Sequence, residues 1–346
     1  MRVAVTGGSG FLGAAIVEQL LGRSGASPLR VDHVRVLDLA PWRGAPDPRL
    51  EARRVDVRDR GALSEALADV DAVIHSAALI DWGRLPDADV FAVNEGGTRH
   101  VIAACQARGV RALVYTSTED VVYGGEAISG GDESMPYPER YTNAYCASKA
   151  RAERLVLAAD SPTLRACAVR PLGIFGEADP YHCSRTLIAA RRGRLIARMG
   201  DGAARFSHAY VVNVAHGHLC ALANLMGEGG ARGQVYFLGD DCPPENFFDF
   251  MERFVTGLGL PFPPRGRSVP FWLAYVVAEA VTRVARALRP VTGWMPTVTG
   301  DTVAMLCRDF YFDDRRARRE LGYAPLVGPD EAMARTVAWF REHGPV

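Results

Sequence analysis

The sequence predicts an α/β protein built on a doubly wound parallel sheet, with a smaller C-terminal lobe whose segments interleave with that sheet. In residues 1–175, short apolar runs alternate with stretches of helical apolar spacing, as in strand–helix–strand units of a parallel sheet. The first apolar run ends in a glycine-rich turn that opens a helix. After residue 175 proline and aromatic residues increase and the alternation becomes irregular. We therefore divide the chain into 1–175 and 176–346, with a soft boundary.

The glycine-rich turn predicts a nucleotide site. Gly7, Gly10 and Gly13 are spaced as GxxGxxG, with Phe11 and Leu12 at the start of the following helix. Glycine allows positive φ and close approach of backbone to a pyrophosphate, which binds at a helix N-terminus. A glycine turn alone is compatible with a purely structural role. The flanking strand and helix favour a Rossmann-type dinucleotide site.

An acidic residue ends the second predicted strand, 33–38. The carboxylate of Asp38 is placed to hold the adenosine ribose hydroxyls and would repel a 2′-phosphate, which favours NAD over NADP. Arg43 lies close behind and could soften that preference. The alternative is a solvated acid at a strand end.

Two further strands supply expected cofactor contacts. The third is predicted over 53–57, with Asp56 at the adenine edge and Val57 packed on the ring. The fourth, 72–78, runs into small residues such as Ala77, which let the backbone approach the cofactor.

A helix and a fifth strand follow. The helix is predicted over 90–107 and carries Asn94 near its start, which we expect to contact the cofactor. The strand, 112–118, ends in hydroxyl side chains that include Thr118. Ligands of open α/β sheets bind beyond the carboxyl ends of the strands.

Tyr145 and Lys149 form the most informative pair in the chain. The 40 basic side chains comprise one lysine, Lys149, and 39 arginines. On the helix predicted over 141–159 the two side chains stack one turn apart. A nearby ammonium lowers a tyrosine pKa, so we expect Tyr145 to transfer protons near neutral pH. A chance YxxxK spacing on a helix is the alternative.

Composition excludes several classes of partner. Formal net charge is zero, which gives no indication of a nucleic-acid partner. Seven cysteines without a CxxC pair predict reduced thiols and a cytoplasmic protein. His216 and His218 are two residues apart with no evident third ligand, so no metal is expected. The chain opens on a strand, so no secretory signal is expected.

The stretch 270–289 has the pattern of an amphipathic helix with an aromatic start. Glu279, Arg283 and Arg286 would share one face, with an apolar face opposite. The uncharged part is too short to span a bilayer. Two interpretations stay open: peripheral contact with the inner face of the membrane, or packing on the C-terminal lobe or in a dimer contact.

Together these motifs make the chain resemble an extended short-chain dehydrogenase/reductase, and within that superfamily the 3β-hydroxysteroid dehydrogenase group, which includes sterol-4-carboxylate 3-dehydrogenases. The resemblance covers both halves of the chain. It rests on TGGSGFLG (6–13), VIHSAALIDWG (73–83), VNEGGT (93–98), LVYTSTEDVV (113–122), YCASK (145–149), RPLGIFGE (170–177), AYVVNVAHGH (209–218), GQVYFLGDDCP (233–243), PFWLAYVVAEAV (270–281) and LGYAP (321–325).

The resemblance implies a catalytic set and a substrate. Thr118 would hydrogen-bond the substrate oxygen, Tyr145 would exchange the proton, and Lys149 would lower the Tyr145 pKa and hold the nicotinamide ribose. Pro171 and Leu172 would line the nicotinamide. The implied reaction is NAD-dependent oxidation, or the reverse reduction, of a secondary alcohol on a hydrophobic polycyclic substrate. The 3β-hydroxyl of a steroid or sterol fits, with or without decarboxylation of a 4-carboxysterol or isomerisation. The superfamily resemblance also suggests a homodimer.

Two alternatives belong to other functional classes. A nucleotide-sugar epimerase or dehydratase would share the cofactor site, and Thr118-Glu119-Asp120 is similar to the Thr-Asp-Glu of sugar-nucleotide dehydratases. Here the two acids are reversed, the spacing to Tyr123 is longer by one, and the C-terminal half is more apolar than a diphosphate site requires. A non-catalytic NAD-binding sensor or scaffold would make the acid–base residues dispensable, and the single lysine argues against that.

Overall fold

The computed structural model of the 346-residue chain describes residues 1–25, 27–81 and 85–346. Trp82 and Gly83, which belong to the VIHSAALIDWG motif, lie outside the described residues.

Seven parallel strands form the main sheet, in the order β3-β2-β1-β4-β5-β7-β11. The remaining strands pair in three two-stranded ribbons, β8 with β10, β9 with β12 and β6 with β13. The strands are β1 (Arg2–Thr6), β2 (His33–Asp38), β3 (Leu50–Arg54), β4 (Ala72–His75), β5 (Ala112–Thr116), β6 (Ile128–Gly131), β7 (Arg165–Pro171), β8 (Gly173–Phe175), β9 (Arg198–Met199), β10 (His208–Tyr210), β11 (Val235–Leu238), β12 (Ser268–Val269) and β13 (Phe310–Phe312).

The helices are α1 (Phe11–Leu20), α2 (Arg60–Ala66), α3 (Asp87–Phe91), α4 (Thr98–Arg108), α5 (Ala144–Ala158), α6 (Cys183–Arg191), α7 (Val211–Met226), α8 (Phe247–Gly257), α9 (Phe271–Thr292), α10 (Gly300–Leu306), α11 (Arg315–Leu321) and α12 (Pro329–His343). A π-helical segment, Ala92–Gly97, joins α3 to α4, and a 3₁₀ turn, Glu119–Val122, follows β5.

Helices cover both faces of the main sheet, as the predicted fold requires. On one face α1 and α7 pack together and bury side chains such as Ile16 and Leu219. On the other face α2, α4 and α5 bury Leu63, Val101 and Val156. Strands buried on two sides read as continuous apolar runs rather than alternating ones, which is the pattern of β1, β4 and β5. The predicted doubly wound parallel sheet is confirmed.

Several element boundaries differ from the sequence-based ones. The third strand lies at Leu50–Arg54 rather than 53–57, so Asp56 and Val57 follow the strand instead of ending it. Its Arg-rich sequence has no apolar period to fix its register. The helix expected over 90–107 begins at Asp87 and passes through the π segment.

The C-terminal half contributes directly to the main sheet. β11 pairs with β7 at the sheet edge, and α7 packs on α1. Both elements come after residue 175, so they cross the predicted division of the chain. That division remains a prediction about where the substrate-binding part begins.

The stretch predicted to be amphipathic forms α9, a helix of 22 residues. It packs against α10 through small buried side chains such as Ala285. Its predicted apolar face, including Val277, Val284 and Leu288, is exposed. Within the described part of the chain, none of the helices combines the length and apolarity needed to cross a membrane.

Candidate active site

One cleft at the carboxyl ends of the main-sheet strands gathers almost all of the predicted site residues. Its volume of about 620 Å³ falls within the range of small-molecule sites, roughly 300–1,000 Å³. The predicted residues on its walls are Gly7, Gly10, Phe11, Leu12, Gly13, Asp38, Asp56, Val57, Ala77, Thr118, Tyr145, Lys149, Pro171 and Leu172.

The glycine turn is shaped for close contact between chain segments. Gly7 has φ +69°, and a Cβ built there would lie 2.7 Å from the backbone nitrogen of Ala77. A Cβ on Gly13 would lie 2.0 Å from the carbonyl oxygen of Gly7. Gly10 is the N-cap of α1 and provides no side-chain cap. The first N–H groups of α1 therefore remain available to an anion such as a pyrophosphate, which is the fit a dinucleotide needs.

Asp38 lies in the cleft with its carboxylate held in place. The backbone N–H of Ser9 donates to one carboxylate oxygen at 3.0 Å, and the N–H of Ala40 donates to the other at 2.9 Å. Each oxygen keeps a further lone pair for a ligand. This geometry suits the predicted grip on ribose hydroxyls.

The carboxylate of Asp56 is already hydrogen-bonded to a neighbouring arginine, which the sequence did not predict. The guanidinium of Arg58 donates to both of its carboxylate oxygens, at 3.0 and 2.6 Å. Hydrogen bonding to Arg58 holds the pKa of Asp56 below its ordinary value. Any contact with an adenine edge would therefore share the carboxylate with Arg58, which also lines the cleft.

Asn94 is buried behind the cleft and is not among the residues that line it. Its amide accepts from the backbone N–H of Leu79 at 2.8 Å and donates to the Leu79 carbonyl at 3.0 Å. It also donates to Ser148 Oγ at 3.0 Å. Asn94 thus ties the loop after β4 to α5, and its expected contact with the cofactor stays a prediction.

Tyr145 and Lys149 lie one turn apart on α5, as predicted. Asn143 caps the helix by accepting from the Cys146 N–H at 2.9 Å, which fixes the first turn. Lys149 Nζ donates to the Thr116 carbonyl at 2.6 Å and lies 4.3 Å from the centroid of the Tyr115 ring.

Burial governs the protonation of this pair. Burial lowers the pKa of Lys149 to about 7, against an opposing effect of the Glu153 carboxylate. Burial, followed by the negative charge of Asp120, raises the pKa of Tyr145 well above its ordinary value. In the protein alone the Tyr145 pKa is therefore raised, with burial as the largest cause, and the expected lowering of this pKa by Lys149 stays a prediction.

Thr118 lies at the end of β5, where it caps the following 3₁₀ turn. Its Oγ1 donates to Oδ2 of Asp120 at 2.9 Å and accepts from the Asp120 N–H at 3.3 Å. Asp120 and Glu119 are both buried on the cleft wall, and burial raises the pKa of each carboxyl. The sequence indicated these acids only through the dehydratase comparison and missed the bond to Thr118.

Apolar and aromatic side chains that were not predicted as site residues also line the cleft. They come from loops and from the C-terminal half. Sequence analysis did not single them out as site residues, although Leu79, Ile80 and Ile174 lie within the quoted motifs. The wall residues are Leu79, Ile80, Leu85, Ile174, Tyr181, His182, Phe206 and Met305. Among the described residues, no group of three or more His, Cys, Asp or Glu side chains is arranged to hold a metal ion.

A buried ion pair supports α5 one turn beyond Lys149. Arg170 at the end of β7 donates to both carboxylate oxygens of Glu153, at 3.1 and 2.6 Å, and the hydroxyl of Tyr137 donates to the same carboxylate at 2.6 Å. Glu153 and Arg170 are almost fully buried. This pair fixes α5 to the strand that leads into Pro171.

Comparison with known proteins gives a consistent result. The sequence profile described as the 3-beta hydroxysteroid dehydrogenase/isomerase family matches residues 4–267. A "3 beta-hydroxysteroid dehydrogenase/Delta 5-->4-isomerase" of Mycobacterium tuberculosis is 35% identical, with 98% of this chain and 90% of the relative covered. A "Sterol-4-alpha-carboxylate 3-dehydrogenase, decarboxylating" of Mus musculus is 33% identical, covering 98% and 91%.

Solved structures with the same fold include enzymes of nucleotide sugars. A dTDP-glucose 4,6-dehydratase from Streptomyces venezuelae, with NAD bound, superposes with a TM-score of 0.75 at 27% identity and covers 99% of this chain and 98% of the other. A UDP-glucose 4-epimerase from Thermus thermophilus in complex with NAD has a TM-score of 0.70 at 24% identity, covering 99% and 100%; that likeness concerns the fold alone.

Proposed function

The chain belongs to the 3-beta hydroxysteroid dehydrogenase/isomerase family, and from this premise we propose that it oxidises the 3β-hydroxyl of a steroid or sterol with NAD, or reduces the corresponding ketone. It is an oxidoreductase acting on CH–OH groups. The observation that carries the proposal is the convergence of Thr118, Tyr145 and Lys149 where the glycine-turn cleft meets an apolar wall.

The cofactor is a nicotinamide dinucleotide. The glycine turn and the free N-terminus of α1 suit the pyrophosphate, and the carboxylate of Asp38 suits the ribose hydroxyls. We assign NAD rather than NADP because that carboxylate would repel a 2′-phosphate. Pro171 and Leu172 line the cleft beside Tyr145, where the nicotinamide would lie.

The catalytic roles follow from which groups can move a proton. When bound, the nicotinamide supplies the hydride acceptor. Ionised Tyr145 would take the hydroxyl proton as the carbinol carbon loses its hydride, and in ketone reduction the Tyr145 phenol would give its proton to the oxygen. The raised pKa of Tyr145 in the protein alone favours the phenol, the form that reduction requires. Thr118 hydrogen-bonds the substrate oxygen. Lys149 is one turn from Tyr145, within the same cleft, and we assign its amine to the nicotinamide ribose hydroxyls.

The substrate class rests on the apolar part of the cleft lining. Ile80, Ile174, Phe206 and Met305 present apolar surface to the cleft. A rigid polycyclic hydrocarbon buries its area against such a wall without a large loss of conformational entropy. Its single hydroxyl would then be the one polar group that must meet Tyr145.

The test is NADH formation by purified protein given NAD and a panel of 3β-hydroxysteroids, sterols and 4-carboxysterols. Tyr145→Phe should abolish turnover and keep NADH binding. Tyr141→Phe is the matched control, since the Tyr141 hydroxyl has no hydrogen-bond partner among the described residues; it should retain turnover. Binding of NADH without oxidation of any steroid would refute the substrate assignment.

A nucleotide-sugar dehydratase or epimerase is the second candidate, favoured by the two buried carboxylates beside Thr118. Adding dTDP-glucose and UDP-glucose to the panel tests it. Conversion of a sugar nucleotide, with no steroid oxidised, would replace the first proposal. A non-catalytic sensor would bind NADH and turn over nothing in the panel.

We also propose that α9 makes peripheral contact with a membrane surface. Its exposed apolar face is flanked by Trp272 and Trp294, which are 65% and 56% exposed, and tryptophan favours the headgroup region. Sedimentation with phospholipid vesicles should depend on this face and be lost in Val284→Glu. If the wild-type protein does not bind vesicles and Val284→Glu converts a dimer to a monomer, α9 is the dimer contact instead. The homodimer itself stays a prediction, which analytical ultracentrifugation checks.

A further inference from the structure

The hydroxyl of Thr118 has a single proton, and its neighbours determine where that proton can point. The Asp120 N–H, 3.3 Å away, can only donate, so Thr118 Oγ1 accepts there. An ionised carboxylate can only accept, so toward Asp120 Oδ2, at 2.9 Å, the hydroxyl must donate. With Asp120 ionised, Thr118 therefore has no proton left for a substrate oxygen.

A protonated Asp120 reverses this arrangement without moving a heavy atom. The carboxylic acid then donates to Thr118 Oγ1, which uses its two lone pairs for the acid proton and the Asp120 N–H. The hydroxyl proton of Thr118 can then turn toward the cleft, where it meets either a substrate oxygen or the hydroxyl of Tyr145, with which Thr118 also hydrogen-bonds. A substrate carbonyl or developing alkoxide there would receive two donors, one from each residue.

The surroundings of Asp120 move its titration to higher pH than that of an ordinary aspartate. The side chain is 8% exposed, and burial raises the pKa of its carboxyl, opposed by the bond from Thr118 and by the imidazole of His182. The titratable groups that face it are Glu119 on the same turn, Tyr123 after it, Tyr145 and Cys146 on α5, and His182 on the opposite wall.

We propose that Asp120 is a positioning residue whose protonation state sets the direction of the Thr118 hydroxyl. Neutral Asp120 turns the Thr118 proton toward the substrate oxygen, and ionised Asp120 takes that proton away. The proposal rests on the proposed function, since it assigns Thr118 to the substrate oxygen. It gives the cleft an acidic group that must be protonated for full ketone reduction, although Asp120 itself does not touch the substrate.

The first test follows reduction of a 3-ketosteroid by NADH as a function of pH. Removal of one preorganised donor to a reacting oxygen reduces rates by about 10²–10³. The ratio of wild-type to Asp120→Asn kcat/KM should therefore fall about 100-fold as pH rises, because the amide cannot ionise. Taking the ratio cancels the titration of Lys149, which both proteins share. A ratio independent of pH would overturn the proposal.

Two further variants separate this role from a structural one. Glu119→Gln alters the adjacent buried carboxyl, one oxygen of which has no hydrogen-bond partner among the described residues. This variant should keep a fall with pH of the wild-type size, with its midpoint shifted because the two carboxyls interact. In a Thr118→Val background the Asp120→Asn ratio should become independent of pH. The assignment would be contradicted if the fall in kcat/KM with pH disappeared in Glu119→Gln. It would also be contradicted if the kcat/KM ratio of Thr118→Val to Thr118→Val/Asp120→Asn still fell with pH.

An infrared measurement judges the proposal without turnover. The wild-type minus Asp120→Asn difference spectrum should contain the C=O stretch of a protonated carboxyl that disappears as pH rises. If no ketosteroid is reduced but this band titrates, the proposed substrate fails and the switch at Thr118 stands. If the band is absent at every pH at which the protein is folded, Asp120 is always ionised and the switch fails, whatever the substrate.

Discussion

Lys149 should lose its proton near neutral pH in the free protein, and this prediction can be worked out from the structure. The amine is 2% exposed, and burial lowers its pKa from an ordinary 10.5 to about 7. At 1.36 kcal/mol per unit, burial disfavours the ammonium by about 5 kcal/mol relative to the neutral amine. The hydrogen bond to the Thr116 carbonyl and the facing Tyr115 ring offset only part of the lost hydration.

The chain is well suited to the assay because it contains one lysine. Protein labelled with ¹³C,¹⁵N-lysine gives a single side-chain NMR signal, whose chemical shift against pH reports the Lys149 pKa directly. We expect a midpoint of about 7. A midpoint above 10 would show that the ammonium is well solvated or paired, and would refute the burial argument.

Stability should follow the same titration. Between about pH 7 and 10.5 the unfolded chain binds the lysine proton and the folded chain does not, so stability rises with pH in this window. Relative to Lys149→Met, which cannot titrate, the free energy of unfolding should increase by up to about 5 kcal/mol across it. The comparison removes the contributions of tyrosines and cysteines, and a difference that stays constant with pH would contradict the reasoning.

Three further predictions concern the cofactor site and the support of α5. Gly13→Ala places a Cβ 2.0 Å from the Gly7 carbonyl oxygen and should weaken NADH binding at least ~100-fold, as measured by fluorescence titration. Gly230→Ala, whose Cβ would have nothing within 4 Å, should not change NADH binding. Equal binding by the two variants would rule out the glycine turn as the pyrophosphate site. Asp38→Ala should shift the NAD/NADP ratio of kcat/KM toward NADP by at least ~10-fold, and an unchanged ratio would remove this carboxylate from the selectivity. Glu153→Gln leaves the buried Arg170 unpaired and should lower the unfolding free energy by about 3–5 kcal/mol, as measured by denaturant titration. Glu95→Gln, which breaks the exposed pairs with Arg99 and Arg151, should cost at most ~1 kcal/mol for each pair; similar losses in the two variants would mean that burial of the pair is unimportant.

The parts of the site predicted correctly from sequence are those set by local spacing. Gly7, Gly10 and Gly13 must lie together because a strand, a turn and a helix are contiguous in the chain. Tyr145 and Lys149 must share a helix face because they are four residues apart. In both cases the local sequence determines the geometry, and segments distant in the chain do not affect it.

The parts of the site that the sequence did not predict depend on burial and on long-range contacts. The pKa of Tyr145 follows the desolvation of the whole cleft, which a YxxxK spacing does not encode. Asn94 meets Leu79 and Ser148, two partners brought together only by tertiary packing. Phe206 reaches the cleft from a segment without a motif. Sequence patterns therefore located the reacting groups better than they described the environment of those groups.

Direct transfer of hydride from the steroid C3 is the measurement closest to the central claim. A 3β-hydroxysteroid carrying deuterium at the 3α position would be incubated with NAD and the wild-type protein, and the NADH formed would be analysed by mass spectrometry. The account predicts NADH one mass unit heavier, formed at a rate that Tyr145→Phe abolishes. NADH without deuterium, or no NADH from any steroid by a protein that binds NADH, would contradict it.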